Sequence, residues 1–96
     1  MQFDQSISAR DASYKLQGEV KEGFQAVVDA FIENFRVEDE LGAAVSVMYR
    51  GEKVGDIYGG WRNGAMSEPW QADTTVCMMS VAKGITAICF NRLIDR

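Results

Sequence analysis

Large apolar residues recur with a helical period along the first half of the chain. Val20, Phe24, Val27, Val28, Phe31, Ile32 and Phe35 stand four, three, one, three, one and three positions apart. Glu19, Lys21, Glu22, Asp29, Glu33, Asn34 and Arg36 fall between them. That spacing lines one stripe of an amphipathic helix. The pattern predicts the helix from Glu19 to Glu38, ending before Gly42. Acidic residues in its first turn would suit the positive end of the helix dipole.

The period then drops to two. Over 43–50, Val45, Val47 and Tyr49 alternate with Ala44, Ser46 and Met48, and Lys53 to Tyr58 reads as a returning strand. Gly51-Glu52 can form a tight turn with glycine at its first central position. Gly59-Gly60 closes the second strand, completing a predicted β-hairpin. Both faces of the hairpin hold apolar residues, so it is expected inside a larger sheet. From Ser80 a third pattern begins. Ala82, Gly84, Ile85, Ala87, Ile88, Cys89, Phe90, Leu93 and Ile94 make the segment apolar nearly all round. This is how a fully buried helix reads, and its small residues allow close approach of neighbours. One helix and one hairpin do not surround such a helix. The chain therefore reads as the opening portion of a larger domain.

The remaining stretches carry weaker patterns. Residues 1–18 are polar and aperiodic, with only Phe3, Ile7, Tyr14 and Leu16 as larger apolar groups, and read as an extended or loosely docked arm. Residues 61–75 read as a loop, marked by Asn63-Gly64 and Pro69. Trp61 and Trp70 are expected to cap an edge of the core. The organisation is then an N-terminal arm over 1–18 and an incomplete domain over 19–96.

Composition narrows the functional classes. Ninety-six residues suit one small domain at most. A net charge of −4, with the ten basic residues scattered, argues against a nucleic-acid or anionic-membrane partner. Cys77 and Cys89 make no disulfide scaffold, and without histidine they complete no zinc site. Two reduced, buried thiols are expected, and no metal or other cofactor. Met1 to Ser6 has neither the basic nor the apolar region of a signal peptide, so a cytoplasmic location is the default expectation.

The candidate chemistry lies in Ser80-Val81-Ala82-Lys83. Positions three apart share a helix face, so hydroxyl and amine can meet there. A serine beside a desolvated amine is a route to an activated nucleophile. The tetrad alone is cheap, since this composition yields about 0.25 such matches by chance. Taken alone it reads better as a serine that caps a helix and a solvated lysine. Asp73 and Thr74 read as turn-makers, Met78 and Met79 as core or pocket lining, and Glu38-Asp39-Glu40 as a solvated helix end.

The order helix, hairpin, loop and serine-led helix resembles the start of the serine β-lactamase and penicillin-binding-protein superfamily, whose nucleophile motif is S-x-x-K. Within it, the chain is most similar to the class C β-lactamase-like esterases, or family VIII carboxylesterases. The residues concerned are Gly42-Ala43-Ala44-Val45, Gly51, Gly59-Gly60-Trp61, Trp70, Asp73-Thr74 and the block Met79 to Ala87. The resemblance implies an α+β fold, an antiparallel sheet flanked by helices, of which this chain holds the N-terminal part. It implies that Ser80 is the acylated nucleophile, that Lys83 accepts or relays its proton, and that the Ser80 backbone N–H is one oxyanion donor. Burial would favour the neutral amine that a base requires.

The family also uses a Tyr-x-Asn or Ser-x-Asn motif and a Lys/His-x-Gly strand, and neither is found among these residues. Tyr14, Tyr49 and Tyr58 precede the serine and are expected to be structural. The resemblance thus implies a serine hydrolase that cleaves small esters through an acyl-enzyme on Ser80, with amides or β-lactams as the secondary expectation. Its partners would be that small-molecule substrate and the remainder of the hydrolase domain, and the chain alone would be inactive or nearly so. The alternatives are a non-catalytic ligand- or partner-binding module of the same fold, or an inactive fragment.

Overall fold

The computed structural model describes residues 2–96. Four antiparallel strands form one sheet in the order β1-β2-β4-β3. They are β1 (Gln2–Ala9), β2 (Ala12–Val20), β3 (Gly42–Tyr49) and β4 (Glu52–Gly60). Helix α1 (Gln25–Val37) links β2 to β3 and packs on one face of the sheet. A 3₁₀ turn at Met79–Val81 leads into helix α2 (Ala82–Asp95). The architecture is α+β with an antiparallel sheet, as expected.

Residues 2–18 are not a loose arm. Ile7 pairs across the sheet with Tyr14, and Leu16 with Gly59. Ile7, Tyr14, Leu16 and Val20 are all buried in the core with Val28, Phe31, Phe35 and Ile57. The β1–β2 turn is Arg10-Asp11, both at positive φ (51° and 60°). That geometry suits a two-residue hairpin whose twist matches its strands. Its usual markers, Asn-Gly or Asp-Gly, are absent. Gln5 also interrupts the apolar alternation on the core side, and so the hairpin escaped the sequence pattern.

Helix α1 starts later than the stripe suggests. Val20 belongs to β2, and Gly23 at φ 94° turns the chain before Gln25. A buried strand end and a helix stripe thus merged into one run of apolar spacings. The acidic residues expected in the first turn, Glu19 and Glu22, precede the helix, whose first turn holds none. At the other end, the Glu38 and Glu40 amides both return to the Asn34 carbonyl (3.1 and 3.2 Å), with Asp39 left-handed at φ 60°. Arg10 completes this cap from the β1–β2 turn. It donates to the carbonyls of Phe35 (2.8 Å) and Glu40 (2.9 Å) and to the Tyr14 hydroxyl (3.2 Å), and it pairs with Asp39 at 3.1 Å. Carbonyls at a helix C-terminus lack intrahelical donors, and a cation there also suits the dipole.

The second hairpin lies where the alternation placed it, with β4 interior to the sheet. Its turn is Arg50-Gly51 (φ 51° and 81°), one residue earlier than the glycine-first reading. The register shifts between Val47 and Met48, leaving Val54 unpaired across β3. Its carbonyl accepts instead from the Lys21 amide at 2.8 Å. The tyrosines serve this frame. Tyr14 packs on Phe35, Tyr49 on Phe24, and the Tyr58 hydroxyl accepts from Gln17.

Helix α2 departs from expectation. The sequence reads as a buried helix, yet no residue of α2 is buried here. Ile88, Phe90, Leu93 and Ile94 are each 64–70% exposed. Nothing lies within 4 Å of where a Cβ on Gly84 would stand. The core is already closed by α1 on the sheet, so no described element remains to cover α2. The chain's radius of gyration, 15.9 Å, reflects this, since a compact chain of this length would measure about 12.5 Å.

Candidate functional site

The route to Ser80 begins at the end of β4. Gly60 carries φ 81°, and a Cβ there would strike the Leu41 carbonyl and the Phe35 ring. Trp61 follows, half-buried against the core. Its backbone N–H donates to Leu41 (2.9 Å) and its indole N–H to the Ser13 carbonyl (3.0 Å). The chain loops out and returns, with Arg62 bonded to the Glu68 carbonyl and Trp70 to the Gly60 carbonyl, both at 2.9 Å. Asn63 organises the loop from within. Its Oδ1 accepts the Ser67 and Glu68 amides, and its Nδ2 donates to the Ser67 hydroxyl. The Arg62 guanidinium pairs with the Glu68 carboxylate across the loop mouth, and that bond raises the Arg62 pKa above its usual value. Thr74 closes a turn with Gln71, as the turn reading of this stretch requires.

Ser80 lies in the 3₁₀ turn and Lys83 is the second residue of α2. The structure therefore sets them three residues apart along one continuous helical run. Both are exposed, and among the described residues no hydrogen bond joins the hydroxyl to the amine. Hydrogen bonds of this kind in free enzymes often tighten only when substrate binds. The low-dielectric surroundings that a lysine base calls for are not supplied by the described residues. Nor does the Ser80 hydroxyl cap the helix, because neither the 3₁₀ turn nor α2 has a side-chain cap. The hydroxyl is left uncommitted. Backbone N–H groups in this first turn are those that helix geometry leaves without intrahelical acceptors, the arrangement an oxyanion donor needs.

Met79, immediately before the serine, has φ 53°. A left-handed conformation at a large non-glycine residue is uncommon and costs about 1–3 kcal/mol, and such residues cluster at functional sites. Only backbone geometry exposes this feature, since Met79 has no sequence marker for positive φ. Met78 and Met79 line no core here, being 48% and 77% exposed. Cys77 and Cys89 are free thiols, but exposed rather than buried. Both belong to the segment that lacks cover. The Cys77 thiol lies 3.7 Å from the Met79 sulfur.

Among the described residues, no group of three or more His, Cys, Asp or Glu side chains could hold a metal ion. An open groove of about 770 Å³ runs between Asp4, Gln17, Glu19, Lys53, Asp56 and Tyr58. It lies on the sheet face opposite α1 and includes neither Ser80 nor Lys83. These residues therefore present a nucleophile candidate on a helix start without a closed substrate pocket. Among the described residues, no helix is long and apolar enough to cross a membrane.

Comparison with known proteins addresses the same stretch. The chain is 36% identical over 86 residues to the esterase/beta-lactamase LipL of Mycobacterium tuberculosis (strain ATCC 25618 / H37Rv). The match takes in 90% of this chain and 20% of LipL, so the chain spans about a fifth of its relative's length. No solved structure matches. The beta-lactamase family matches residues 28–96, from α1 through the serine and lysine to the end of α2, and the chain belongs to that family.

Proposed function

We propose that this chain carries the nucleophile half of a serine hydrolase site that cleaves small esters through an acyl-enzyme on Ser80. The main support is that the family match spans Ser80-Val81-Ala82-Lys83, with serine and lysine on one helical turn. In the proposed reaction the Ser80 Oγ attacks the ester carbonyl carbon while Lys83 Nζ takes the hydroxyl proton. Negative charge gathers on the carbonyl oxygen, where the Ser80 backbone N–H donates. Loss of one such donor typically costs about 2.7–4 kcal/mol of transition-state stabilisation. The tetrahedral species collapses, the C–O bond to the leaving alkoxide breaks, and the alkoxide departs as alcohol with a returned proton. Water then cleaves the acyl-enzyme and restores the hydroxyl. Esters are favoured because the relative is named an esterase as well as a β-lactamase. Amides and β-lactams are the alternative acyl donors.

The second proton-transfer group, the second oxyanion donor and the cover for α2 come, in this proposal, from residues outside these 96. A fluorophosphonate probe tests the reading in the full-length protein. Ser80 is expected to be phosphonylated with loss of fluoride, and Ser80→Ala to abolish labelling. Lys83→Ala is expected to slow labelling by a factor of about 10²–10⁴, the usual worth of a general base. Absence of labelling in the wild-type protein under all conditions would sink the proposal. It would favour the competing reading, a non-catalytic module of the same fold, with which the exposure of Lys83 also agrees.

A further inference from the structure

Among the described residues, backbone hydrogen bonds tie the segment that delivers Ser80 to the sheet through the 61–70 loop. Backbone bonds fix most of that anchor: Trp61 N–H to Leu41, Arg62 N–H to Glu68 and Trp70 N–H to Gly60. Trp61 and Pro69 also form an isolated antiparallel bridge. The Trp70 ring lies against Gly42, where a Cβ would stand 2.8 Å from its Cε3. Beyond Trp70 only the Gln71–Thr74 turn intervenes before an irregular stretch over 75–78 and the 3₁₀ turn that holds Ser80. The direction in which the chain leaves the sheet is therefore set by the 61–70 loop.

One bond in this anchor differs from the rest. The indole N–H of Trp61 reaches the Ser13 carbonyl, 48 residues earlier in the chain, at 3.0 Å. Ser13 lies in β2, part of the N-terminal hairpin that precedes the family match at residue 28. The hairpin is itself fixed to α1 and the 38–40 segment by Arg10. A side chain thus couples an element that precedes the family match to the loop that leads to the nucleophile.

We propose that Trp61 is a positioning residue for the reaction at Ser80. The N-terminal hairpin holds the indole through the Ser13 carbonyl, and this fixes the 61–70 loop and the start of the nucleophile segment. The inference rests on the reading of Ser80 as the acylated serine. Catalysis by a positioned group is steep in geometry, and a displacement of about 1 Å can cost about 10²-fold.

Trp61→Phe is the informative variant, because the acceptor is a backbone carbonyl that no side-chain substitution removes. Phenylalanine keeps an aromatic ring in the half-buried site and loses the donor. A second variant carries 3-benzothienylalanine at position 61, which keeps the bicyclic shape and replaces N–H by sulfur, so that packing is preserved. In the full-length protein both are expected to lower the first-order fluorophosphonate labelling constant about tenfold. The probe's dissociation constant and the final labelled fraction should stay at wild-type values, and the Arg62 and Trp70 amides should exchange faster. A purely structural role would lower the labelled fraction or the melting temperature and leave the rate constant unchanged, and that result overturns the inference while the Ser80 reading stands. A wild-type protein that never labels overturns both. The two amide exchange rates would then show whether the indole still anchors the loop.

Discussion

The sheet with α1 and the helix that follows Ser80 are built from similarly apolar sequence, yet only the first is packed. Phe35 and Leu16 are fully buried, while Phe90 and Leu93 are 64% and 70% exposed. The difference lies in partners, because α1 needs cover on one stripe and the sheet supplies it. Helix α2 is apolar on all sides and would need cover all round. Hydrophobic composition states a demand for burial; it does not name the element that meets it.

Paired substitutions bring this contrast to a measurement. The largest effect is expected in the cores. In the 96-residue chain, Phe35→Ala should lower unfolding free energy by about 3–5 kcal/mol, as other buried phenylalanines do. Phe90→Ala should change it by less than about 0.5 kcal/mol, like an exposed site. Denaturant titration of both variants checks the comparison, and a Phe90 cost above about 2 kcal/mol would mean that α2 packs in this chain after all. A glycine pair is expected to differ in sign. Gly60→Ala forces a side chain into a positive-φ position against Leu41 and Phe35, a strain of about 1–3 kcal/mol before any clash. Gly84→Ala enters open space inside a helix and should stabilise α2 by about 0.5–1 kcal/mol. Thermal melts followed by helical circular dichroism separate the two.

The same contrast explains what was legible beforehand. The β3–β4 hairpin was readable because its alternation is local and its turn carries glycine. Helix α1 was readable in its body but not at its start, where Val20 of β2 extends the apolar stripe by accident of register. The N-terminal hairpin was missed because its turn, Arg10-Asp11, takes positive φ without glycine or asparagine. Its burial also depends on β4, which lies some forty residues later. At the candidate site, Ser80 and Lys83 stood out through their spacing. The Arg10 cap, the Trp61 indole bond and the left-handed Met79 did not, since each is a long-range or backbone property with no signature in residue type. The apolar periodicity of α2 reports a need for burial and not its fulfilment, and the shortage of elements to surround it was legible in the sequence as well.

The smallest expected effect concerns charge, and it too falls in the packed region. Among the described residues, all four ion pairs lie between Arg10 and Glu68, and none involves α2. Lys21 and Glu52 join the end of β2 to the start of β4 at 2.9 Å. The hydrogen bond from Lys21, and then its charge, hold the Glu52 carboxyl below its ordinary value of 4.5. A carboxyl lowered in the folded state contributes stability that is present above its unfolded value and is lost as pH falls through the folded one. The pair therefore helps the sheet at neutral pH and stops helping in the acid range below 4.5. Both groups are exposed, so salt weakens the contribution as well. Glu52→Gln should flatten the acid limb of a stability–pH curve slightly and leave the neutral-pH midpoint nearly unchanged. Lys21→Gln should reproduce that flattening, and the double variant should add nothing further. If the two single variants instead add, Lys21 and Glu52 act separately and the cross-strand pair does not link β2 to β4.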